Sequence, residues 1–176
     1  MMEEKDLISR AARDDADAFR QLVETYQTPA YRLAARMCGP DGAEDVTQEA
    51  FLAAWRGLPQ FRGDCRFSTW LYRIAINEAL DFLRKKKQAT QVSADDEPGI
   101  ASRLLADEYF DGDEIQAHLQ EAVALLPDVQ RTVFTLKYFD NMKYSEISKI
   151  LSTSEGALKA SYHLAVKKIT EFLQKY

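Results

Sequence analysis

EDVTQEAFLAAW, residues 44–55, reads as one helix with two faces. At helical spacing Ala43, Val46, Ala50, Ala53 and Ala54 form an apolar stripe that predicts burial. Asp45, Gln48, Glu49 and Leu52 recur at i, i+3, i+4 and i+7 on a second face, where carboxylates and an amide surround one leucine. Taken alone, that second face also fits an ordinary solvated surface near a helix start, where acids complement the dipole.

The segments that follow narrow the choice. FRGDCRF (61–67) leads into STWLYRIAINEALDFL (68–83) and ends in the basic run RKKK (84–87). Ser68 is a predicted N-cap, with Phe67 and Tyr72 spaced as a hydrophobic staple. Upstream, Asp17 is a predicted cap for a helix carrying Phe19, Leu22, Val23 and Tyr26. Pro29 suits the first turn of a further helix that Gly39 and Pro40 end. Gly57 and Pro59 close the helix holding residues 44–55. No segment alternates with period two long enough to predict a strand, so the expected class is all-α.

The second half carries a helix-turn-helix pattern. Ile115–Leu126 is amphipathic and stops at Pro127, Val129–Tyr138 follows, and YSEISKIL (144–151) places Ile147, Ile150 and Leu151 on one face. STSE (152–155) fits a capping box with Ser152 as cap and Glu155 reaching back, and Gly156 predicts a close helix approach. The last helix is expected to bury Leu158, Tyr162, Ala165, Val166, Ile169, Phe172 and Leu173. It leaves Lys159, His163 and Lys167 on an outer face, the packed back and basic front that a recognition helix needs in the major groove. A plain helical hairpin with solvated lysines shows the same pattern.

Charge is distributed unevenly behind the net value of −5. Residues 1–92 hold 14 acids and 14 bases, residues 93–114 hold 8 acids and only Arg103, and residues 115–176 hold 6 acids and 8 bases. The acidic excess therefore sits in one segment, SADDEPGIASRLLADEYFDGDE, whose Pro98, Gly99 and Gly112 mark it as a linker between two helical domains. The expected organisation is a domain over 1–90, an acidic linker over 91–113 and a second domain over 114–176. No apolar run approaches the roughly 20 residues of a membrane span, and MMEEKDLISR is too polar for a signal peptide, so the expectation is a cytoplasmic chain without membrane insertion. Cys38 and Cys65 stand apart with no CxxC pattern, which predicts two reduced thiols and no metal site or cofactor.

Together, residues 44–87 and 126–169, in this order and at this length, resemble the bacterial sigma factors of the sigma-70 family. The chain lacks room for the intervening domain of larger housekeeping members, which points to the extracytoplasmic function (ECF) group. The resemblance implies a non-catalytic initiation factor that binds core RNA polymerase, directs it to promoters and helps melt them. The first domain would be the sigma region 2 bundle, acting on the minus-ten element, and the second the region 4 helix-turn-helix, acting on the minus-thirty-five element.

Residue by residue, the resemblance places Asp45, Gln48, Glu49 and Leu52, held by Phe51 and Trp55, on the clamp of the polymerase largest subunit; region 4 would meet the flap of the second subunit. It places Phe61, Tyr72, Ile74, Ala75 and Asn77 around a flipped non-template base. Aromatic and apolar groups can stack a base, and the Asn77 amide can bond its edge. Arg62, Arg66, Arg73, Arg84, Lys85, Lys86 and Lys87 would meet phosphates. In the second domain Lys159, Ala160, His163 and Leu164 fall where the family reads bases, with Lys167 and Lys168 near the backbone. Many relatives carry arginines there and this helix has none, so no promoter sequence carries over. The family also implies an anti-sigma partner.

Two other classes account for less. A promoter-binding regulator would explain residues 144–176 but not the motifs of 44–87. A helical metal-dependent nucleic-acid hydrolase using Glu44, Asp45 and Glu49 would need an HExxH, an HD pair or a phosphate-binding glycine loop, none of which is present.

Overall fold

The computed structural model describes residues 3–90 and 112–176, and most of the acidic stretch read as a linker lies outside them. Every regular element among the described residues is helical. The first group comprises α1 (Glu4–Ala11), α2 (Ala16–Cys38), α3 (Pro40–Gly57), a short 3-10 turn (Leu58–Gln60) and α4 (Phe67–Thr90). The second comprises α5 (Glu114–Ala124), α6 (Asp128–Phe134) running into a π-helical turn (Thr135–Phe139), α7 (Tyr144–Leu151) and α8 (Glu155–Leu173).

Several predicted boundaries move for physical reasons. Asp15 rather than Asp17 caps α2, accepting from the Ala18 N–H at 3.0 Å and pairing with Arg10 at 2.7 Å. Pro29 does not begin a helix; it lies inside α2, where tertiary burial of Ala30, Leu33, Ala34 and Met37 immediately after it outweighs an interior proline cost of about 3 kcal/mol. The helix α4 opens at Phe67, one residue before the expected cap Ser68, and Phe67 packs on Tyr26, Phe61 and Trp70 instead of stapling to Tyr72.

The turn between α7 and α8 also differs from the predicted capping box. Ser152 terminates α7 in the left-handed conformation (φ 51°), and Ser154 is the cap of α8, its hydroxyl accepting from the Ala157 N–H at 3.3 Å. The Ser148 hydroxyl donates to the Thr153 carbonyl at 2.7 Å and pins that turn. Gly156 faces open space, so no close helix approach depends on it, and Val166 is 38% exposed rather than buried. The close approach occurs at Gly42, where a Cβ would come within 2.5 Å of the Phe82 ring.

Among the described residues three apolar clusters hold the helices together. One lies inside the α1–α4 bundle around Leu22, Phe51, Leu58, Phe67 and Leu71, and one inside the second group around Val123, Leu126, Phe134 and Ile169. The third crosses between the groups: Leu33, Met37, Val46, Ala75, Ile76 and Ala79 share it with Val133, Leu136, Ile147, Ile150 and Leu158. The two sequence domains therefore pack on each other, a contact that helical periodicity alone does not predict.

Arg131 fastens this seam. It is 5% exposed and donates to the Val123 and Leu126 carbonyls at 3.3 and 2.9 Å, to the Ala124 carbonyl, and across the seam to the Met37 carbonyl at 3.4 Å. Burial pulls its pKa down and Asp128 partly opposes that shift. Nearby, Arg36 pairs with Asp140 at 3.2 Å and lies 4.4 Å from the Phe139 ring centroid. Ion pairs this buried contribute little net energy because desolvation offsets attraction. The apolar cluster therefore supplies the adhesion and the Arg36–Asp140 pair fixes its register.

Candidate nucleic-acid interface

Along α3 the two faces separate cleanly. Ala43, Val46, Ala50 and Ala54 are buried, whereas Asp45, Gln48, Glu49 and Leu52 are exposed. Phe51 is buried, and Trp55 stands 4.7 Å from the Phe19 ring, so both anchor the helix from beneath. Leu52, 47% exposed among carboxylates and an amide, is the apolar centre of an otherwise polar surface. Beside it a shallow groove of about 280 Å³ is lined by Tyr31, Glu44, Thr47 and Gln48.

Between the 3-10 turn and α4 the FRGDCRF loop folds over an aromatic floor. Phe61 and Trp70 rings stand 5.0 Å apart, with Phe67 behind both. Gly63 takes φ 76°, a left-handed turn that a side chain would strain. The loop leaves a cavity of about 450 Å³ lined by Gln60, Phe61, Arg62, Asp64, Cys65, Trp70, Arg73 and Lys149. That size lies within the range of about 300–1,000 Å³ of small-ligand sites, and its lining supplies stacking surface beside guanidinium groups.

Of the five residues expected around a flipped base, only Phe61 lines the cavity, joined there by Arg62 and Arg73 from the expected phosphate contacts; Tyr72 and Ile74 pack instead against the apolar cluster shared by both halves. Ala75 is 1% exposed and belongs to that core, so it offers nothing to a ligand. Asn77 is exposed further along α4. Burial raises the pKa of the Tyr72 hydroxyl, reinforced by nearby Asp140, so it remains a neutral donor. Trp70 was not singled out from the sequence. Its signal was its place at i−3 and i−7 from Arg73 and Asn77, the same helix face.

Among the predicted phosphate contacts, Arg62, Arg66, Arg84, Lys85 and Lys87 are exposed and Lys86 is partly buried. Arg84 pairs with Asp81 at 2.9 Å and Lys87 with Asp128 at 3.6 Å. Two others meet α7: Arg73 donates to the Lys149 carbonyl, and Arg66 lies 3.9 Å from Glu146.

The helix-turn-helix is formed by α7 and α8. Leu158, Ala165 and Ile169 are buried, while Lys159, Ala160, His163, Leu164, Lys167 and Lys168 are all exposed. The outer face is therefore continuous along α8, and Lys159 Nζ lies 5.7 Å from the Tyr144 ring centroid. No helix among the described residues is long and apolar enough to cross a membrane.

Comparison with known proteins covers both halves. The family Sigma-70 region 2 matches residues 22–89, and the family Sigma-70, region 4 matches residues 117–169. The chain is 36% identical to the ECF RNA polymerase sigma factor SigW of Bacillus subtilis over 169 residues, covering 90% of each chain. It is 31% identical to the ECF RNA polymerase sigma-E factor of Escherichia coli K12 over 177 residues, covering 96% of this chain and 93% of that one. Among solved structures, CnrH in complex with the cytosolic domain of CnrY aligns with TM-score 0.72 and 26% identity over 98% of this chain and 97% of that one. The sigma factor RpoE of Bartonella quintana, solved with the anti-sigma factor NepR, shares the fold at TM-score 0.69 and 21% identity, over 89% of this chain and 96% of that one.

Proposed function

Because the chain belongs to the ECF group of the sigma-70 family, we propose that it engages core polymerase through α3, captures one non-template base beside Phe61 and Trp70, and anchors upstream duplex through α8. Membership itself makes it a sigma factor acting in transcription initiation, a role without covalent catalysis. The placement of each contact is our reading of the geometry.

The observation that carries this reading is the cavity at Phe61 and Trp70. A flipped base costs a few kcal/mol of lost stacking, and an aromatic platform returns about 1–3 kcal/mol per base. Arg62 and Arg73 at the same cavity suit the flanking phosphates. Preformed rings thus offset melting at one position, while the polymerase supplies the chemistry. The acids of Asp45 and Glu49 suit a basic docking helix by charge complementarity, and exposed Leu52 gives that contact an apolar centre.

The likeness to CnrH, which is solved in complex with the cytosolic domain of CnrY, supports a protein partner for this chain too, which we take to be an anti-sigma factor. The acidic segment around 93–114 should oppose binding of the free chain to DNA, because it repels phosphates. Reconstitution tests the whole reading: core polymerase with this chain should start from a promoter that core alone cannot use. Phe61→Ala should reduce permanganate reactivity of the melted thymines. Wild-type reactivity in that variant would remove the base from this cavity.

A further inference from the structure

The start of the helix-turn-helix carries an aromatic ring that does more than pack. Tyr144, the first residue of α7, is partly buried against the apolar cluster shared by both halves, yet its ring also meets two ammonium groups. Lys137 Nζ lies 5.0 Å from the ring centroid and donates to the Met142 carbonyl at 3.2 Å, which fixes it in place. Lys159 Nζ, from α8, lies 5.7 Å from the same centroid. Tyr162, one turn beyond Lys159, stands 6.4 Å away at 78°, an edge-to-face contact that sets the tilt of the ring. A platform held by one lysine and one tyrosine thus receives the ammonium of a second lysine.

Lys159 is exposed in the second turn of α8. Among the described residues it pairs with no carboxylate, although Glu155 stands four residues earlier, the spacing at which helical ion pairs form. A carboxylate would neutralise the ammonium and occupy its N–H donors. A ring face attracts the charge within about 6 Å and leaves the donors that point away from it free. In the major groove those donors suit guanine O6 and N7. An arginine brings a rigid planar fork to that edge, whereas a lysine brings a point charge on a flexible stem. Helix α8 has no arginine, so its discrimination depends on how narrowly its lysine is aimed. A side chain already restrained loses less rotamer freedom on binding.

We propose that Tyr144 is a positioning residue for base reading: its ring aims the Lys159 ammonium at the edge of one base pair and so helps set the minus-thirty-five preference. This rests on the preceding reading of α8 as the helix that meets upstream duplex.

The test uses holoenzyme assembled with the full chain as wild type, Tyr144→Phe, Tyr144→Leu, Lys159→Met, and Tyr144→Leu combined with Lys159→Met. Binding to a promoter library randomised over the minus-thirty-five element gives the preference at each base pair. Lys159→Met should flatten it at one of them. Tyr144→Leu keeps apolar bulk and removes the ring, so discrimination at that same base pair should fall about 2- to 5-fold, equivalent to an exposed cation–π contact of about 0.5–1 kcal/mol. The other base pairs and the salt slope should not change, because no charge is lost. Tyr144→Phe retains the ring and should keep the wild-type preference, and in the double variant the loss of the ring should add nothing. In the free chain, the ring current should shift the Lys159 methylene resonances upfield in wild type and Tyr144→Phe, and not in Tyr144→Leu.

A Tyr144→Leu chain that keeps the parental preference, or that weakens binding to every sequence alike at matched folded fraction, would overturn the proposal by reducing Tyr144 to a core residue. A full further loss in the double variant would overturn it too, since independent effects add. Tyr144→Phe behaving as Tyr144→Leu would transfer the effect from the ring to the hydroxyl, against the proposal. Failure of the underlying reading looks different. Lys159→Met itself then keeps the parental preference, and the inference falls with that reading even where the ring-current shift is present.

Discussion

Helices α3 and α4 belong to one bundle, yet their outward faces differ: Asp45, Gln48, Glu49 and Leu52 stand exposed, whereas Arg73 of α4 donates to the Lys149 carbonyl of α7. A face bare in the free chain can meet a partner at the first encounter. Where α7 contacts α4, a ligand reaches Arg73 only by displacing the Lys149 carbonyl. The difference suggests an order of events in which protein docking precedes strand capture, and each face can be challenged separately.

The bare face should give the largest effect. Asp45→Arg with Glu49→Arg reverses two exposed charges, which contribute little to folding but repel a basic partner by several kcal/mol. Core-polymerase affinity measured by calorimetry should fall at least about 100-fold, equivalent to about 2.7 kcal/mol, with the melting temperature unchanged. Retained affinity would show that α3 is bare for another reason.

A smaller loss is expected at the face of α4, and only in a later step. Asn77→Ala, on an exposed side chain, and Phe61→Ala should leave closed promoter complexes nearly intact and lower the open-complex fraction. Loss of one stacking or edge interaction, about 1–3 kcal/mol, corresponds to roughly 5- to 150-fold. Phe61 also packs on Trp70 and Phe67, so its variant is compared at matched folded fraction by circular dichroism. Equal loss of closed complexes would place these residues in initial binding and erase the distinction between the two faces.

Helix α8 presents a second bare face, where base reading and anchoring can be separated. Lys159 and His163 project from its first turns, so changing either should alter the preferred minus-thirty-five sequence by about 1–3 kcal/mol per disturbed base pair. Changing Lys167 and Lys168 should weaken all sequences alike and lower the salt slope by about one unit for each phosphate no longer neutralised. Selection from a promoter library distinguishes these outcomes. Unaltered preference in the Lys159 and His163 variants would make α8 an anchor and move specificity to the cavity at Phe61.

Sequence periodicity anticipated what each helix does within its own half. Of the stripe Ala43, Val46, Ala50, Ala53 and Ala54, all but half-buried Ala53 are buried, α7 has the expected bounds Tyr144–Leu151, and the outer residues of α8 are exposed. It failed where one helix serves two neighbours. Ala75 and Tyr72 follow a spacing that equally suits a ligand face or a second core, and the apolar cluster shared by both halves takes them up. Arg131, Arg36 and Asp140 look like ordinary surface charges in the sequence, because long-range pairing of buried charge leaves no local pattern. Pro29 and Ser152 were misplaced since burial after Pro29, and a left-handed residue at 152, override local preference.

The subtlest difference between bare and covered surfaces lies in the two thiols. Cys38 is 7% exposed in the cluster shared by both halves, its Sγ donating to the Ala34 carbonyl at 3.0 Å. Burial pushes its pKa up to about 12, with Lys86 and Arg131 pulling weakly the other way. At pH 8 only about one part in ten thousand of such a thiol is thiolate, the reactive form. Half-exposed Cys65 should therefore be alkylated by iodoacetamide first, and Cys38 only as the seam opens, so mass spectrometry of a protein carrying Asp140→Asn and Glu146→Gln should show faster Cys38 labelling. The raised pKa also fixes a pH dependence. The folded state holds the proton more tightly than the unfolded state, whose value lies near 9.0, so this contribution to stability is complete below pH 9 and declines as pH climbs toward 12. The melting temperature should fall more steeply between pH 9 and 11 in the wild type than in Cys38→Ala. Equal slopes, together with Cys38 labelling as fast as Cys65 in the wild type, would mean that the seam is already open in solution.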